Sequence, residues 1–412
     1  MYNKNSKIPQ LSLPKNCTGC LLCVHICPAH AITIIEGKLG EVDVDIDNQK
    51  CIRCNKCVDN CPNIHGLNRY SPRKLYAAVS QNSENILQAS SGGAFFDLAS
   101  LFIENNGVVY GVVSSPNNEY VIQISYKRAE DKNQLVLFQG SKYVQSDIND
   151  VYSNIKEDIK ENRPILFTGT PCQVAAIRRF SKNYNKLYTV DIICHGVPSQ
   201  RLFTDYLTYI QNKYNCIINS FSFRNKRRGW GMTACLNIKK FNHSFDLLVD
   251  CRASSFYSFF LDGLTYRESC YHCQYASRER IGDITLGDFW GVQNCKKIKN
   301  EMKEKGVDFS TGVSCIFANT DKGEELIIRS HLLLFKSTFE DVAKENRQLV
   351  SPTSWNSDRK KLIELYERNG YEGIEVHYKK TYGIKRLLYI LKPYVPMWIR
   401  KLIVSKRKKQ NL

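Results

Sequence analysis

The sequence predicts a small, cysteine-rich α+β module followed by a larger α/β domain. Two observations predict this division. Eight of the 17 cysteines lie in two closely spaced runs before residue 65, and after residue 72 short apolar segments alternate with amphipathic ones. A chain of 412 residues, of which 43% are hydrophobic, is long enough to bury a large core in more than one domain.

The N-terminus and the hydropathy pattern predict the cellular compartment of the protein, which in turn bears on the role of its cysteines. The N-terminus is polar and has no apolar signal-peptide segment, and no stretch reaches the roughly 20 apolar residues that cross a membrane. We therefore expect a cytoplasmic protein. Because the cytosol keeps thiols reduced, the cysteines are expected to bind metal or to act in catalysis rather than to form disulfides.

Two four-cysteine runs dominate the first 65 residues. Each reads C-x2-C-x2-C-x3-C-P, and the second run repeats the first 34 residues later. This spacing is typical of bacterial two-cluster ferredoxins, in which the fourth cysteine of each run binds the other 4Fe-4S cluster. The predicted ligands are Cys17, Cys20, Cys23 and Cys61 for one cluster, and Cys51, Cys54, Cys57 and Cys27 for the other. Zinc is the alternative metal, but it prefers two C-x2-C pairs to a run of four cysteines.

Residues 1–68 are therefore predicted to form a ferredoxin-like domain with two 4Fe-4S clusters. Between the two runs, the segment "EVDVDIDNQ" alternates apolar and acidic residues. Such alternation is typical of a half-exposed strand, so the module is expected to be of the α+β class.

The main body reads as alternating strands and helices, which indicates an α/β domain. The predicted strands are "KLYAAVS", "VVYGVVSS", "VIQISYKR", "PILFTG" and "LYTVDIIC". The predicted helices are "SSGGAFFDLASLFIENNG", "DINDVYSNIKEDIKENR", "TPCQVAAIRRF" and "SQRLFTDYLTYIQNKY", the last two capped by Thr170 and Ser199. We divide this domain into an N-terminal part, residues 72–155, and a C-terminal part, residues 156–350.

Four further cysteines have positions that suggest a third metal site. Cys172 follows one predicted strand, and Cys194 ends the next one. If these strands are parallel, both cysteines reach the carboxyl edge of the sheet, where ligands bind in open α/β sheets. Cys270 and Cys273 add a C-x2-C pair, which completes the four thiolates that a 4Fe-4S cluster needs. A zinc ion on the same four cysteines and plain buried thiols are the alternatives.

Several passages of the main body, taken in order, resemble one known family. They are "SSGGAF", "GSKYVQSD", "LFTGTPCQVAAI", "DIICHGVPS", "FRNKRRGWG", "SCYHCQYASRERIGDITLGDFWG" and "TGVS". They resemble the coenzyme F-420 hydrogenase/dehydrogenase beta-subunit family, in the form that carries its own two-cluster ferredoxin domain. The resemblance implies an FAD-binding flavoprotein with at least one 4Fe-4S cluster in the main body. By this resemblance, Cys172, Cys194, Cys270 and Cys273 would bind that third cluster.

The resemblance also suggests contacts to the flavin. The expected cofactor-binding residues are Ser91, Gly92, Gly93, Ser141, Lys142, Tyr143 and Thr170. The glycines would let the backbone approach a phosphate at a helix N-terminus, although a simple helix cap is the alternative. Lys142 would neutralise a flavin or phosphate charge, unless it is a solvated lysine. His195 is the expected catalytic residue, as a proton or hydrogen-bond donor near the flavin, with a supporting role as the alternative.

These features together predict an oxidoreductase that depends on FAD and iron–sulfur clusters. It would move electrons between a ferredoxin-type partner and a small organic substrate, which the sequence does not name. Ferredoxin-fused relatives resemble accessory proteins of cell-surface polysaccharide synthesis, so that role is implied as well. The alternative is a non-catalytic electron-transfer subunit that docks on a catalytic partner protein.

The basic charge of the chain is concentrated at its C-terminus. Eleven Lys or Arg and no Asp or Glu follow residue 375, which leaves +7 of the formal +18 for the preceding residues. This distribution disfavours nucleic-acid binding by the body of the protein. We assign residues 351–412 to a basic amphipathic tail. It is expected either to contact an anionic membrane surface peripherally, on the inner face, or to form an ordinary solvated end.

Overall fold

The computed structural model describes residues 7–13, 15–117, 121–182 and 184–395. Over these ranges the chain forms an N-terminal ferredoxin-type module and a larger α/β domain, which confirms the predicted division. The last part of the predicted tail, residues 396–412, lies outside the described residues.

The described residues contain three β-sheets. Their strands are β1 Ile32–Glu36, β2 Val42–Ile46, β3 Lys74–Ser80, β4 Val108–Pro116, β5 Ile122–Ala129, β6 Ile165–Gly169, β7 Leu187–Ile192, β8 Ile217–Ser222, β9 Thr233–Lys240, β10 His243–Asp250, β11 Ile284–Asp288, β12 Ser314–Ala318 and β13 Leu332–Lys336. The hairpin β1–β2 belongs to the module, and its second strand confirms the strand predicted between the two cysteine runs.

The helices surround these sheets. They are α1 Leu22–Ile26, α2 Lys56–Asp59, α3 Ser83–Gln88, α4 Ala94–Glu104, α5 Lys132–Leu135, α6 Val151–Lys160, α7 Pro171–Ser181, α8 Gln200–Tyr214, α9 Ser255–Leu261, α10 Lys296–Glu304, α11 Asp321–Arg329, α12 Phe339–Ala343, α13 Asp358–Tyr382 and α14 Lys385–Leu391. The predicted strands and helices of the main body are all present, and Thr170 and Ser199 are the N-cap residues of α7 and α8.

The main sheet has eight strands in the order β13-β3-β12-β11-β7-β6-β4-β5. The neighbours β4, β6, β7 and β11 run parallel, whereas the remaining pairs are antiparallel. All five residues of β6 are buried, as expected for a central parallel strand that is covered on both faces. The parallel pairing of β6 with β7 confirms that Cys172 and Cys194 follow strands whose carboxyl ends meet at one edge.

A three-stranded antiparallel sheet, β10-β9-β8, forms a separate layer with α8, α9 and α13. We assigned residues 351–412 to a C-terminal tail, and this assignment is wrong for residues 358–382. Helix α13 is interrupted at Gly370 but packs into this layer. Its buried side chains are Leu362, Tyr366, Tyr371, Ile374 and Tyr378. Residues 358–382 are therefore part of the globular body.

No helix within the described ranges is both long enough and apolar enough to span a membrane.

Candidate functional site

The cysteines of the module form two groups, each drawn from both runs. The second set, Cys27, Cys51, Cys54 and Cys57, lines one small cavity of about 20 Å³. Cys27 comes from the first run, so the fourth cysteine crosses to the other group in the way the ferredoxin spacing predicts. Burial, together with the neighbouring Cys27 and Cys54, raises the pKa of Cys57 to about 11.

The first set, Cys17, Cys20, Cys23 and Cys61, lies closer to the main domain. Burial, together with the nearby Cys17, Cys61 and Cys172, raises the pKa of Cys20 to about 12. Burial also raises the pKa of Cys23, which has Cys57 of the second set among its neighbours. The first set is therefore adjacent to the second set on one side and to Cys172 on the other.

The third set, Cys172, Cys194, Cys270 and Cys273, lines one wall of a large cavity at the carboxyl edge of the main sheet. Burial raises the pKa of Cys270 to about 12, with Cys273 and Cys172 as contributing neighbours. Burial raises the pKa of Cys172 as well, which is opposite to what a nucleophilic cysteine needs. In the described part of the chain, no three His, Cys, Asp or Glu side chains are arranged to hold a single metal ion.

The backbone of the two cysteine runs repeats itself closely. Gly19 and Leu21 of the first run have left-handed φ values of 62° and 59°. Arg53 and Asn55, at the equivalent positions of the second run, have φ values of 56° and 58°. Turns that include left-handed residues direct successive backbone N–H groups into one concavity, which favours a bound anionic group. Both loops therefore have the conformation of an anion-binding loop.

The module docks on the loop that carries the C-x2-C pair of the third set. The Arg69 guanidinium donates to the carbonyl of Gln274 at 2.7 Å, and Gln274 donates through Nε2 to Asn63 Oδ1 at 3.2 Å. The hydroxyl of Tyr152 donates to the carbonyl of Cys20, and His25 stacks on the Tyr152 ring. These contacts hold the first set against the third set.

The large cavity has a volume of about 810 Å³, within the range typical of ligand pockets. It is bounded by the third cysteine set, the N-terminus of α4 and several aromatic side chains. Helix α4 begins after Gly93 and receives no side-chain cap, so its first amides and the positive end of its dipole are available to an anion.

Most of the predicted flavin contacts lie at this cavity. Ser91, Gly93, Ser141, Lys142, Tyr143 and Thr170 line it, and so does His195. Gly92 does not line it. A Cβ atom there would lie 2.3 Å from the Ala78 carbonyl oxygen and 2.8 Å from the Ser314 amide, so this glycine is needed for packing between strands. A contact between the Gly92 backbone and a phosphate stays a prediction.

Lys142 is neither solvated nor free to neutralise a ligand through its ammonium group. Its Nζ donates to the carbonyls of Phe138 and Gln139 at 2.9 and 2.8 Å, and to that of Leu137 at 3.2 Å. Burial lowers the pKa of Lys142 to about 7. All three donors are thus engaged at the end of the short helical turn 136–138, and the side chain holds the cavity loop in place.

His195 lines the large cavity and is partly open to solvent. Desolvation by the cavity walls lowers its pKa, while the charge of Asp288 raises it in part. This shift favours the neutral imidazole. The Thr353 hydroxyl donates to the His195 carbonyl at 3.0 Å and fixes the loop.

One arrangement at the cavity was not assigned from the sequence. The Arg224 guanidinium forms a two-bond ion pair with Asp288, with N–O distances of 2.9 and 3.2 Å. The Trp230 indole donates to the same carboxylate at 3.0 Å and stacks on Trp290. Asp288 and Trp290 line the cavity. The passages "FRNKRRGWG" and "GDFWG" contain all four residues, but their pairing depends on tertiary contacts.

Two parts of the chain match known protein families. Residues 16–64 match the 4Fe-4S dicluster domain, and residues 162–331 match the C-terminal domain of the coenzyme F420 hydrogenase/dehydrogenase beta subunit. The two matches define an iron–sulfur electron-transfer protein. Residues 162–331 thus match the C-terminal domain of the coenzyme F420 hydrogenase/dehydrogenase beta subunit, and a 4Fe-4S dicluster domain precedes them, which confirms the resemblance over these ranges.

Among solved structures, a chain of the F420-reducing NiFe hydrogenase complex from Methanosarcina barkeri is similar to this chain. The two share 15% identity, and the similarity covers 77% of this chain and 95% of the other, with a TM-score of 0.40. The comparison with curated proteins finds no match.

Proposed function

We propose that this protein is an iron–sulfur flavoprotein oxidoreductase with three 4Fe-4S clusters and one FAD. The observation that carries the proposal is that the third cysteine set lines the same cavity as the uncapped N-terminus of α4. Four thiols suit a cluster, and an uncapped helix N-terminus suits the phosphates of a dinucleotide. A cluster-binding group and a flavin-binding group would thus share one cavity.

The residues present fit FAD in size and in chemistry. The cavity volume of about 810 Å³ is large enough for a dinucleotide cofactor. Ser91, Gly93, Ser141, Tyr143 and Thr170 would hold it, with the amides at the start of α4 facing its phosphates. When bound, a flavin exchanges two electrons with an organic molecule and single electrons with iron–sulfur clusters.

The contacts between the three cysteine sets support one order of electron transfer through them. Cys57 of the second set neighbours Cys23 of the first set, and Cys20 of the first set neighbours Cys172 of the third. The third set reaches the cavity. Electrons would therefore pass between an external protein partner and the cavity in the order second, first and third set, or in reverse.

The chain supplies further groups for chemistry at the cavity. The lowered pKa of His195 favours the neutral imidazole, which can accept a proton or donate its ring N–H to a bound molecule. The ion pair of Arg224 and Asp288 holds the Trp290 ring at the wall, because the guanidinium lies 5.0 Å from its centroid. We assign the catalytic proton transfer to His195 and the orientation of the bound molecule to Trp290.

The first test is the content of iron, acid-labile sulfide, zinc and flavin in protein purified without oxygen. We expect about 12 iron atoms and one FAD per chain. About 8 iron atoms together with one zinc would assign the third set to zinc, and about 8 iron atoms without zinc or flavin would overturn the proposal for the main domain. A Cys273→Ala variant should lose about four iron atoms, whereas Cys216→Ala, outside the three sets, should lose none.

The same preparation tests the alternative of a non-catalytic subunit. An oxidoreductase with its own substrate should transfer electrons to a small organic molecule without another protein. A docking subunit should be reoxidised only by a partner protein. The role in cell-surface polysaccharide synthesis stays a prediction, and sugar nucleotides are the first organic molecules to screen.

We also propose that the C-terminal end contacts an anionic membrane surface peripherally. Helix α14 buries none of its residues. Its exposed apolar side chains include Leu387, Leu388 and Leu391, which are 52%, 66% and 61% exposed. Basic residues flank them, and the chain after residue 375 contains no acid. Exposed leucines with a basic surround suit the interface of an anionic bilayer.

A further inference from the structure

Arg267 lies at the junction between the module and the main domain, three residues before Cys270. Its side chain is only 4% exposed. Nε and Nη2 donate to the carbonyl of Cys17 at 3.2 and 3.0 Å, and Nη1 donates to the Val42 carbonyl at 2.9 Å and to Gln145 Oε1 at 2.8 Å. Each of these acceptors is electrically neutral, so the hydrogen bonds satisfy the guanidinium but do not balance its charge.

The other buried arginines of the described residues have a different environment. Arg224 pairs with Asp288, Arg280 with Asp191 and Arg359 with Glu41. Within the described ranges, Arg267 alone among these four forms no ion pair with a carboxylate. A buried cation without a counter-charge is costly, so a negative partner is expected nearby.

Arg267 lies beside cysteines of two sets. Its guanidinium donates to the carbonyl of Cys17 in the first set, and its own carbonyl accepts the N–H of Cys270 in the third set at 3.0 Å. Arg267 also lines the large cavity together with Cys172, Cys270 and Cys273. Asp43 also neighbours Cys17 but makes no ion pair with Arg267. Arg267 does not line the cavity of the second set, which residues 9–57 form.

The first cysteine run is adapted to this arginine. A Cβ atom on Gly19 would lie 2.6 Å from Arg267 Nη1 and 2.7 Å from the Val42 carbonyl oxygen. The equivalent position of the second run is Arg53, which has the same left-handed backbone but bears a long side chain. The two runs therefore differ at this position because the guanidinium occupies the space beside Gly19.

We propose that Arg267 is a shared counter-charge for the clusters of the first and third sets and raises their reduction potentials above that of the second set. The proposal rests on the proposed function. Four thiolates leave a 4Fe-4S cluster negatively charged, and reduction adds another negative charge. A buried cation beside the cluster favours the reduced form, and net charge is one determinant of the potential. Electrons would then reside preferentially at the two sets nearest the cavity.

The test is a redox titration of the complete, anaerobically purified chain, followed by electron paramagnetic resonance. Arg267→Gln removes the charge, and Arg267→Lys retains it. Gln145→Glu keeps the shape of the Nη1 acceptor and gives the guanidinium the carboxylate that it lacks. Signals are assigned to sets with Cys20→Ala, Cys54→Ala and Cys273→Ala, each of which removes one cluster.

We expect Arg267→Gln and Gln145→Glu to shift the potentials of the first and third clusters to more negative values. The second cluster should keep its potential and serves as an internal control. Arg267→Lys should restore values close to the wild type. If Arg267→Gln fails to retain iron but Arg267→Lys retains it, the result also supports a counter-charge role for Arg267, because the two variants differ in charge.

Three results would overturn the proposal. One is unchanged potentials in both Arg267→Gln and Gln145→Glu. Another is an equal shift in Arg267→Lys and Arg267→Gln, which would indicate hydrogen bonding rather than charge. The third is loss of iron from Arg267→Gln and Arg267→Lys alike. Failure of the proposed function is recognised separately, because wild-type protein would then lack the iron or flavin of the main domain before any variant is made.

Discussion

At the scale of single residues, equivalent positions in the two cysteine runs have similar backbone conformations but different neighbours. Gly19 and Arg53 have nearly the same φ, 62° and 56°, yet only the first is a glycine. A left-handed φ alone does not require glycine here, because Arg53 adopts it too. The close approach of Arg267, Gln145 and Val42 to Gly19 decides the residue type. Such a requirement comes from the docked domain and is invisible in the spacing of the cysteines.

Gly19→Ala is therefore expected to be damaging, whereas Gly66→Ala is expected to be mild, because a Cβ atom added at Gly66 would meet no neighbour within 4 Å. The added methyl group would press on Arg267 and the Val42 carbonyl, and overpacking of this kind costs about 1–3 kcal/mol. The thermal midpoint and the iron content of both variants check the prediction. Equal behaviour of the two variants would show that the space beside Gly19 can relax.

Other single residues explain where the predictions from sequence failed. Lys142 was expected to face a cofactor or solvent, but its ammonium group is taken up by three backbone carbonyls. At Gly92, the Ala78 carbonyl and the Ser314 amide leave no room for a Cβ atom, so packing between strands also requires a glycine there. The partners of Lys142 lie three to five residues before it, just outside the quoted motif, whereas those of Gly92 come from two strands that are distant in sequence.

At the scale of elements, apolar runs bounded by clear caps were predicted well. The strand β6 and helix α7 follow from "PILFTG" and "TPCQVAAIRRF", with Thr170 and Pro171 at the start of the helix. Helix α13 was missed as part of the core because its segment is rich in charge. Its tyrosines bury their rings while their hydroxyls find partners, as when Tyr378 donates to the Arg252 carbonyl.

Helix α14 carries the prediction for the membrane. The complete chain should sediment with phosphatidylglycerol-containing vesicles, and Leu387→Ser combined with Leu388→Ser should weaken binding by at least about tenfold, because each leucine loses its apolar burial. Leu137→Ser is the matched control, since Leu137 is 64% exposed but lies far along the chain from the basic end. Vesicle binding that is unchanged in the α14 variant but lost in Leu137→Ser would contradict the assignment. High salt should weaken the vesicle binding of the wild-type chain.

At the scale of the whole molecule, the docking of the module sets the order of the cysteine sets. The second set lines a cavity formed only by residues 9–57 of the module, whereas the first set faces the main domain. The exposed Ile52 lies beside the second set, which is consistent with an approach of a protein partner from that side. The first set then connects that side with the cavity.

This order predicts an asymmetric effect of losing the second cluster. In Cys54→Ala, reduction of the remaining clusters by a ferredoxin-type protein should become slow, because the partner then faces the distant first set. A small reductant that enters the cavity should still reduce the third and first clusters at the wild-type rate. Stopped-flow absorbance measures both rates, with Cys216→Ala as the control. Equal slowing by both reductants would contradict the order.

The cysteine spacing, the strand and helix pattern and the family passages determined the fold class, the crossed grouping of the module cysteines and the candidate third set. These features are local, because loop geometry and hydrophobic periodicity depend on neighbouring residues. The tertiary structure alone decided that Arg224 pairs with Asp288, that Arg267 lies between two cysteine sets with no carboxylate ion pair among the described residues, and that α13 belongs to the core. Each depends on contacts between residues far apart in sequence, where burial makes the balance of charge and space decisive.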